Sequence, residues 1–301
     1  MKTFKTLLQR EWLQHQRGWL VMLGLPVVLA VLAATFGQMQ LGDDAADIPG
    51  PLSFAMITVL AMVGLCLLVT WGTALLMSPG LARRDTQDRS IEFWLSLPTT
   101  HVQSVSATLL MHLLVLPWAA IGVGLASGLL ISPIIVSKGF GMSAWLGLPW
   151  ADLLGAAAAL WLRLSVGLVL ATLWLSPLIL GTMAASAWLK RWGVPAVASA
   201  LIIGTVALSK LYGFTVLRDA LAYITGQASG AFIGDWPAGS LQGLQIQHPD
   251  EFGAALPQAA HWLMQDAGQA LWAAATPGFL AALAVGAAAF GALILRRQRG
   301  A

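Results

Sequence analysis

Six apolar stretches, each near or beyond the ~18 residues needed to cross a bilayer, dominate this chain and leave little room for anything else. They cover roughly residues 19–36, 52–78, 104–136, part of 151–188, 194–210 and 274–295. Inside lipid a backbone must satisfy its own hydrogen bonds, so runs of this length read as helices. The sequence therefore predicts an all-α polytopic membrane protein with six transmembrane helices. Of the 301 residues, 58% are hydrophobic, and the mean hydropathy is +0.77. No internal repeat and no separate soluble domain is evident, so residues 1–301 read as one transmembrane domain.

Charge placement tests the count of spans. Lys2, Lys5, Arg10, Arg17, Arg83, Arg84, Arg89, Lys190, Arg191, Arg296, Arg297 and Arg299 fall on one side of a six-span arrangement. Only Lys138, Lys210 and Arg218 fall on the other, and Arg163 lies within a span. Bases concentrate on the cytoplasmic side, which predicts both termini in the cytoplasm. Five or seven spans would scramble the asymmetry. Trp19, Trp145, Trp150, Trp188, Trp192 and Trp272 sit at or near predicted span ends, where indole rings prefer the headgroup level. The net charge is only +3 and the bases form no single stripe, which argues against a nucleic-acid partner and for membrane lipid.

The ends of the spans carry further signals. Residues 1–18 place Phe4, Leu7, Leu8 and Trp12 on one helical face, with Lys2, Lys5, Gln9 and Arg10 around the rest. This predicts an amphipathic interfacial helix ahead of span one. The polar lead is too long for a cleaved secretory signal, so span one is expected to be retained. Ser78-Pro79-Gly80 is expected to close span two, and Pro177 to kink span four. Cys66 stands alone, so no disulfide framework exists.

One short segment departs from the apolar pattern. Residues 83–97 hold three arginines, three acids and a Phe-Trp pair between spans two and three. Ile91, Trp94 and Leu95 recur at helical spacing, and Asp85 precedes Arg89 by four residues, the favourable order for an ion pair. The segment reads as a short amphipathic cytoplasmic helix with a charged outward face. "RRDTQDRSIEFWLSLPTTHVQSV" resembles the cytoplasmic coupling segment of ATP-binding-cassette permeases of the ABC-2 type. Chain length, six spans, an amphipathic N-terminal helix and a long outer region over 211–273 extend the resemblance across nearly the whole chain. Many members carry a lysine after the proline turn; here Ala107 stands in "VSATLL".

The resemblance implies that this chain is the permease subunit of an exporter in the bacterial inner membrane. The coupling helix would sit in a cleft of a cytoplasmic ATPase subunit, docking through Arg84, Asp88, Arg89, Ile91, Glu92, Phe93, Trp94 and Leu95. A second permease, identical or homologous, would complete the complex. No G-x-x-x-x-G-K-[ST] loop is present, so this chain is expected to hold no cofactor; ATP and magnesium would belong to the ATPase. The cargo (drug, peptide or lipid) is not written in the sequence. A non-transporting anchor or signalling subunit on the same scaffold is the alternative, and an intramembrane enzyme a more distant one.

The remaining polar residues carry no specific catalytic or metal-binding pattern. His248, Asp250, Glu251, His261 and Asp266 lack metal-ligand spacing and read as helix starts and outer-region polarity. His101 and His112 read as structural, His112 standing alone in span three. Counting back from Lys190-Arg191 puts Arg163 near the outer interface, where a guanidinium can snorkel to headgroups; a place on the substrate pathway is the competing expectation. Gly124-x-x-x-Gly128 predicts close helix packing.

Overall fold

The computed structural model describes residues 2–38, 50–84, 100–232 and 251–299, and among them there is helix and turn but no strand. The helices are α1 (Lys2–Phe36), α2 (Pro51–Leu81), α3 (His101–Leu110), α4 (Leu116–Phe140), α5 (Met142–Leu146), α6 (Trp150–Trp174), α7 (Ser176–Leu189), α8 (Gly193–Leu211), α9 (Val216–Gly230), α10 (Glu251–Ala273) and α11 (Pro277–Arg299). Six helical stretches are long and apolar enough to cross a membrane: Phe4–Phe36, Pro51–Leu81, His101–Phe140, Trp150–Trp174, Ser176–Leu211 and Pro277–Arg299, of which Ser176–Leu211 comprises α7 and α8, folded back on each other at Lys190–Trp192.

Three Ser-Pro pairs explain where the long helices continue and where one breaks. A proline inside a helix leaves the carbonyl four residues earlier without its donor. At Pro79 that carbonyl belongs to Leu75, and the Ser78 hydroxyl donates to it at 2.8 Å. At Pro133 it belongs to Leu129, and the Ser132 hydroxyl donates to it at 2.9 Å. Both helices run on: α2 reaches Leu81, past the Ser78-Pro79-Gly80 stop expected from sequence, and α4 reaches Phe140. At Pro177 the repair is missing. The Ser176 hydroxyl is buried with no partner among the described residues, and the helix breaks at Leu175 between α6 and α7. Pro117 is handled differently, by a π-turn over Met111–Val115 that loosens the backbone just ahead of it.

The core pair is α2 against α4. A Cβ on Gly124 would lie 2.6 Å from the Val63 Cα, and one on Gly128 would lie 2.6 Å from the Val59 Cα. The Gly-x-x-x-Gly spacing thus serves packing within this chain. The chain reverses at Lys190–Trp192, where α8 returns along α7 with Gly193 against the Ser186 backbone. On the other side α10 runs parallel to α6, with Leu153 beside Leu256 and Arg163 on Asp266, and the start of α11 meets the end of α6 where Trp174 packs on Phe279. α11 continues beside α7. α9 packs its Ala228 and Tyr223 against α6 at Trp174.

One expectation is revised in form. No break separates residues 1–18 from span one; α1 is a single helix of 35 residues, ~50 Å long. Gly18 alone does not stop a helix whose neighbours all favour one.

Candidate functional site

Arg84, the first of the proposed docking residues, stands at the end of α2 and turns back into the protein. Its Nη2 donates to Glu11 Oε1 at 2.8 Å and its Nη1 to Glu11 Oε2 at 3.2 Å, a two-pronged fork on one carboxylate. The Glu11 side chain is 0% exposed, because it lies on the buried stripe of α1 with Leu7 on one side and Trp19 on the other. Thr108 on α3 donates its hydroxyl to Glu11 Oε1 at 3.1 Å, and Arg10 pairs with the same oxygen. One carboxylate therefore ties together α1, the end of α2 and α3.

Two histidines complete the junction. A guanidinium only donates, so the His15 Nε2 that lies 3.2 Å from Arg84 Nη1 accepts, and its Nδ1 donates to the Glu11 carbonyl at 3.1 Å. His112 donates from Nδ1 to the Thr108 carbonyl at 3.0 Å. Its ring meets His15 edge-on at 5.0 Å and Trp19 at 5.2 Å between centroids. His112 is thus not alone, as sequence suggested, but part of an aromatic wall behind the ion pairs.

Glu11, His15 and His112 each offer a ligand atom within 4.8 Å of the others, the spacing of a metal site. The donor set does not fit one. Both carboxylate oxygens accept from arginine, and Arg84 sits against the His15 lone pair. A divalent cation would join two guanidiniums around a single negative charge. Arg84 is itself the cation this cluster holds.

The other docking residues, Asp88, Arg89, Ile91, Glu92, Phe93, Trp94 and Leu95, lie outside the described residues, as does the coupling helix they would form. So do His248 and Asp250. His261 is exposed on α10.

Arg163 departs from expectation. Its side chain is 1% exposed, which no snorkelling residue can be. Nε donates to Asp266 Oδ2 at 2.6 Å and Nη1 to the Ala231 carbonyl at 2.5 Å, so α6 is fastened to α10 and to the end of α9. Nη2 is buried with no partner among the described residues. Counting back from Lys190-Arg191 misplaces Arg163, because α6 and α7 are jointed at Leu175 and α9 and α10 cover α6 around it.

Glu11 is the functional candidate that sequence reasoning missed, and Asp266 is one that it read only as outer-region polarity. Glu11 carried a signal: it is the single acid among the first 42 residues, and it lies four residues from Leu7 on the apolar face. Asp266 carried none, since nothing local distinguishes it from an outer-region acid. No family model matches this chain, and no curated protein and no solved structure matches it either.

Proposed function

We propose that this chain is the permease subunit of an ATP-binding-cassette exporter, driven by ATP that a separate chain binds and hydrolyses. The observation that carries the reading is the Glu11 junction. Residue 84 leads directly into the charged segment over 85–97, and its guanidinium is fixed to α1 and, through Glu11, to α3. A push on that segment by a docked ATPase would reach three helices at once, without a soluble domain as intermediary. On this reading both termini are cytoplasmic, the membrane is a bacterial inner membrane, and a second permease, identical or homologous, pairs with this one.

Docking is assigned to Ile91, Phe93, Trp94 and Leu95 as the apolar contact, with Asp88, Arg89 and Glu92 as polar contacts. Affinity purification of the full chain from its native membrane tests this. Co-recovery of a nucleotide-binding subunit is expected, and Trp94→Ala or Glu92→Arg should reduce it at unchanged membrane levels. Loss of an interface hot-spot aromatic costs ~2 kcal/mol or more, about thirtyfold in affinity. ATP-dependent movement of a substrate in vesicles then separates an exporter from an anchor or signalling subunit. Recovery of the ATPase unaltered in both variants would overturn the docking assignment.

A further inference from the structure

Trp188, near the end of α7, lies against α11, and the Lys190–Trp192 turn follows it directly; four cations of the turn and of the end of α11 have no carboxylate among the described residues paired to any of them. They are Lys190, Arg191, Arg296 and Arg299. Two of them lie over one exposed indole: the Arg296 Cζ is 5.7 Å and the Arg299 Cζ 6.0 Å from the Trp188 ring centroid. Arg191 lies 5.7 Å over the Trp192 ring. The Trp188 ring is fixed, because its Nε1 donates to the Ala292 carbonyl of α11 at 3.2 Å. A guanidinium stacked on a ring keeps its N–H edges free, and those edges match the oxygens of a phosphate.

The backbone supports this arrangement. Lys190 has a φ of 56°, the one positive value outside glycine among the described residues. Such a conformation is strained for a residue with a side chain and persists where the surrounding structure demands it. Here it reverses the chain into α8 immediately after α7, two residues past the Trp188 that lies against α11. Leu189 and Leu295, 49% and 51% exposed, lie beside the cations and offer apolar surface to an acyl chain. A soluble anion would have no use for that surface.

We infer that Trp188, Lys190, Arg191, Trp192, Arg296 and Arg299 form a binding site for the phosphate headgroup of an anionic phospholipid. The lipid would seat its phosphodiester between the turn and the end of α11 and lay its chains along α7 and α11. It would thereby hold the α7–α8 reversal against α11. The site stands independently of any ATPase partner, since none of its residues belongs to the charged segment.

Native mass spectrometry of the full chain released from detergent micelles tests it, with cardiolipin and phosphatidylcholine of matched acyl chains as probes. Cardiolipin should be retained in preference to phosphatidylcholine. Arg296→Gln/Arg299→Gln should weaken cardiolipin retention by about twenty-five-fold, and Lys190→Gln/Arg191→Gln by a similar factor, at about fivefold per base beside an anionic headgroup. Lys210→Gln, at an exposed position on a different helix end, should leave it unchanged. Circular dichroism of each variant should report wild-type helix content. Equal retention of the two lipids overturns the inference, as does unchanged retention in both double variants. Displacement of cardiolipin by millimolar inorganic phosphate, or an equal loss in Lys210→Gln, overturns it as well.

Discussion

Arg84 forks Glu11 at 2.8 and 3.2 Å across 73 positions of sequence, joining the end of α2 to the middle of the N-terminal helix. Removing one partner of a buried pair leaves an uncompensated charge and costs ~3–5 kcal/mol. Glu11→Gln is therefore expected to lower thermal stability in detergent sharply, since two arginines then face a neutral amide. Arg84→Lys should be damaging too, because an ammonium cannot hold both oxygens. Thr108→Val, which removes one hydrogen bond to the same carboxylate, should cost about 1 kcal/mol. Thermal unfolding in detergent orders the three; Glu11→Gln as mild as Thr108→Val would show that the junction is not a buried ion pair.

The approach of α4 to α2 has no slack at its glycines. Gly128→Val adds a branched side chain whose first carbon would stand 2.6 Å from the Val59 Cα, which is backbone and cannot swing away. Overpacking costs ~1–3 kcal/mol and sometimes more. The variant is expected to lose stability while any oligomer it forms keeps its size on gel filtration. A change of oligomeric state at unchanged stability would mean that this face serves a second chain.

The serine repairs give a paired test. Ser132→Ala removes the donor that covers the Leu129 carbonyl, and a buried unsatisfied carbonyl costs about 1–3 kcal/mol. Ser176→Ala removes a hydroxyl that has no partner among the described residues, so it should be neutral or mildly stabilising. Thermal shifts of the two variants should differ in sign or at least severalfold in size. Equal destabilisation would refute the account of why one Ser-Pro pair breaks its helix and the others do not.

How far the fold could be read from sequence follows from this contrast. The apolar runs made the six membrane-length helical stretches legible, and the tryptophans and bases located most of their ends. The three Ser-Pro pairs look alike in sequence, yet at two of them the serine hydroxyl covers the freed carbonyl and the helix runs on, and at the third it does not and the helix is jointed. That difference depends on packing against α11, where Ser176 faces Gly286. The site was legible where a local anomaly marked it. Arg84 lay in the charged segment and Glu11 on an apolar stripe, whereas the partners of Arg163 come from 68 and 103 positions away. No local pattern encodes such a meeting.

Sidedness can be checked chemically in a Cys66→Ala background, a substitution at a fully buried position. Single cysteines at Asp44 and Gln245 should react with an impermeant maleimide added to intact cells, and those at Gln87 and Gln298 should not. Reaction at Gln87 from outside would reverse the orientation inferred from the twelve bases.

Arg163 yields the sharpest test, because the structure reverses what its sequence position suggested. A headgroup-facing arginine would tolerate lysine. The arginine seen here uses Nε for Asp266 and Nη1 for the Ala231 carbonyl, two directions that a lysine ammonium on a flexible stem does not reproduce together. Arg163→Lys should therefore destabilise the protein, and Arg163→Leu more so. Asp266 keeps 22% of its side chain exposed, so water softens the loss and about 2 kcal/mol is a reasonable size for the leucine variant. The double variant Arg163→Leu/Asp266→Leu removes both charges and should be less harmful than Arg163→Leu alone, as buried pairs replaced by apolar groups often are. Thermal unfolding of the two single leucine variants and the double variant gives the coupling directly. Strict additivity would show that the two side chains do not depend on each other. If instead Arg163→Lys keeps its stability and loses the proposed transport, the fastening of α6 to α9 and α10 contributes little and Arg163 acts on the substrate pathway.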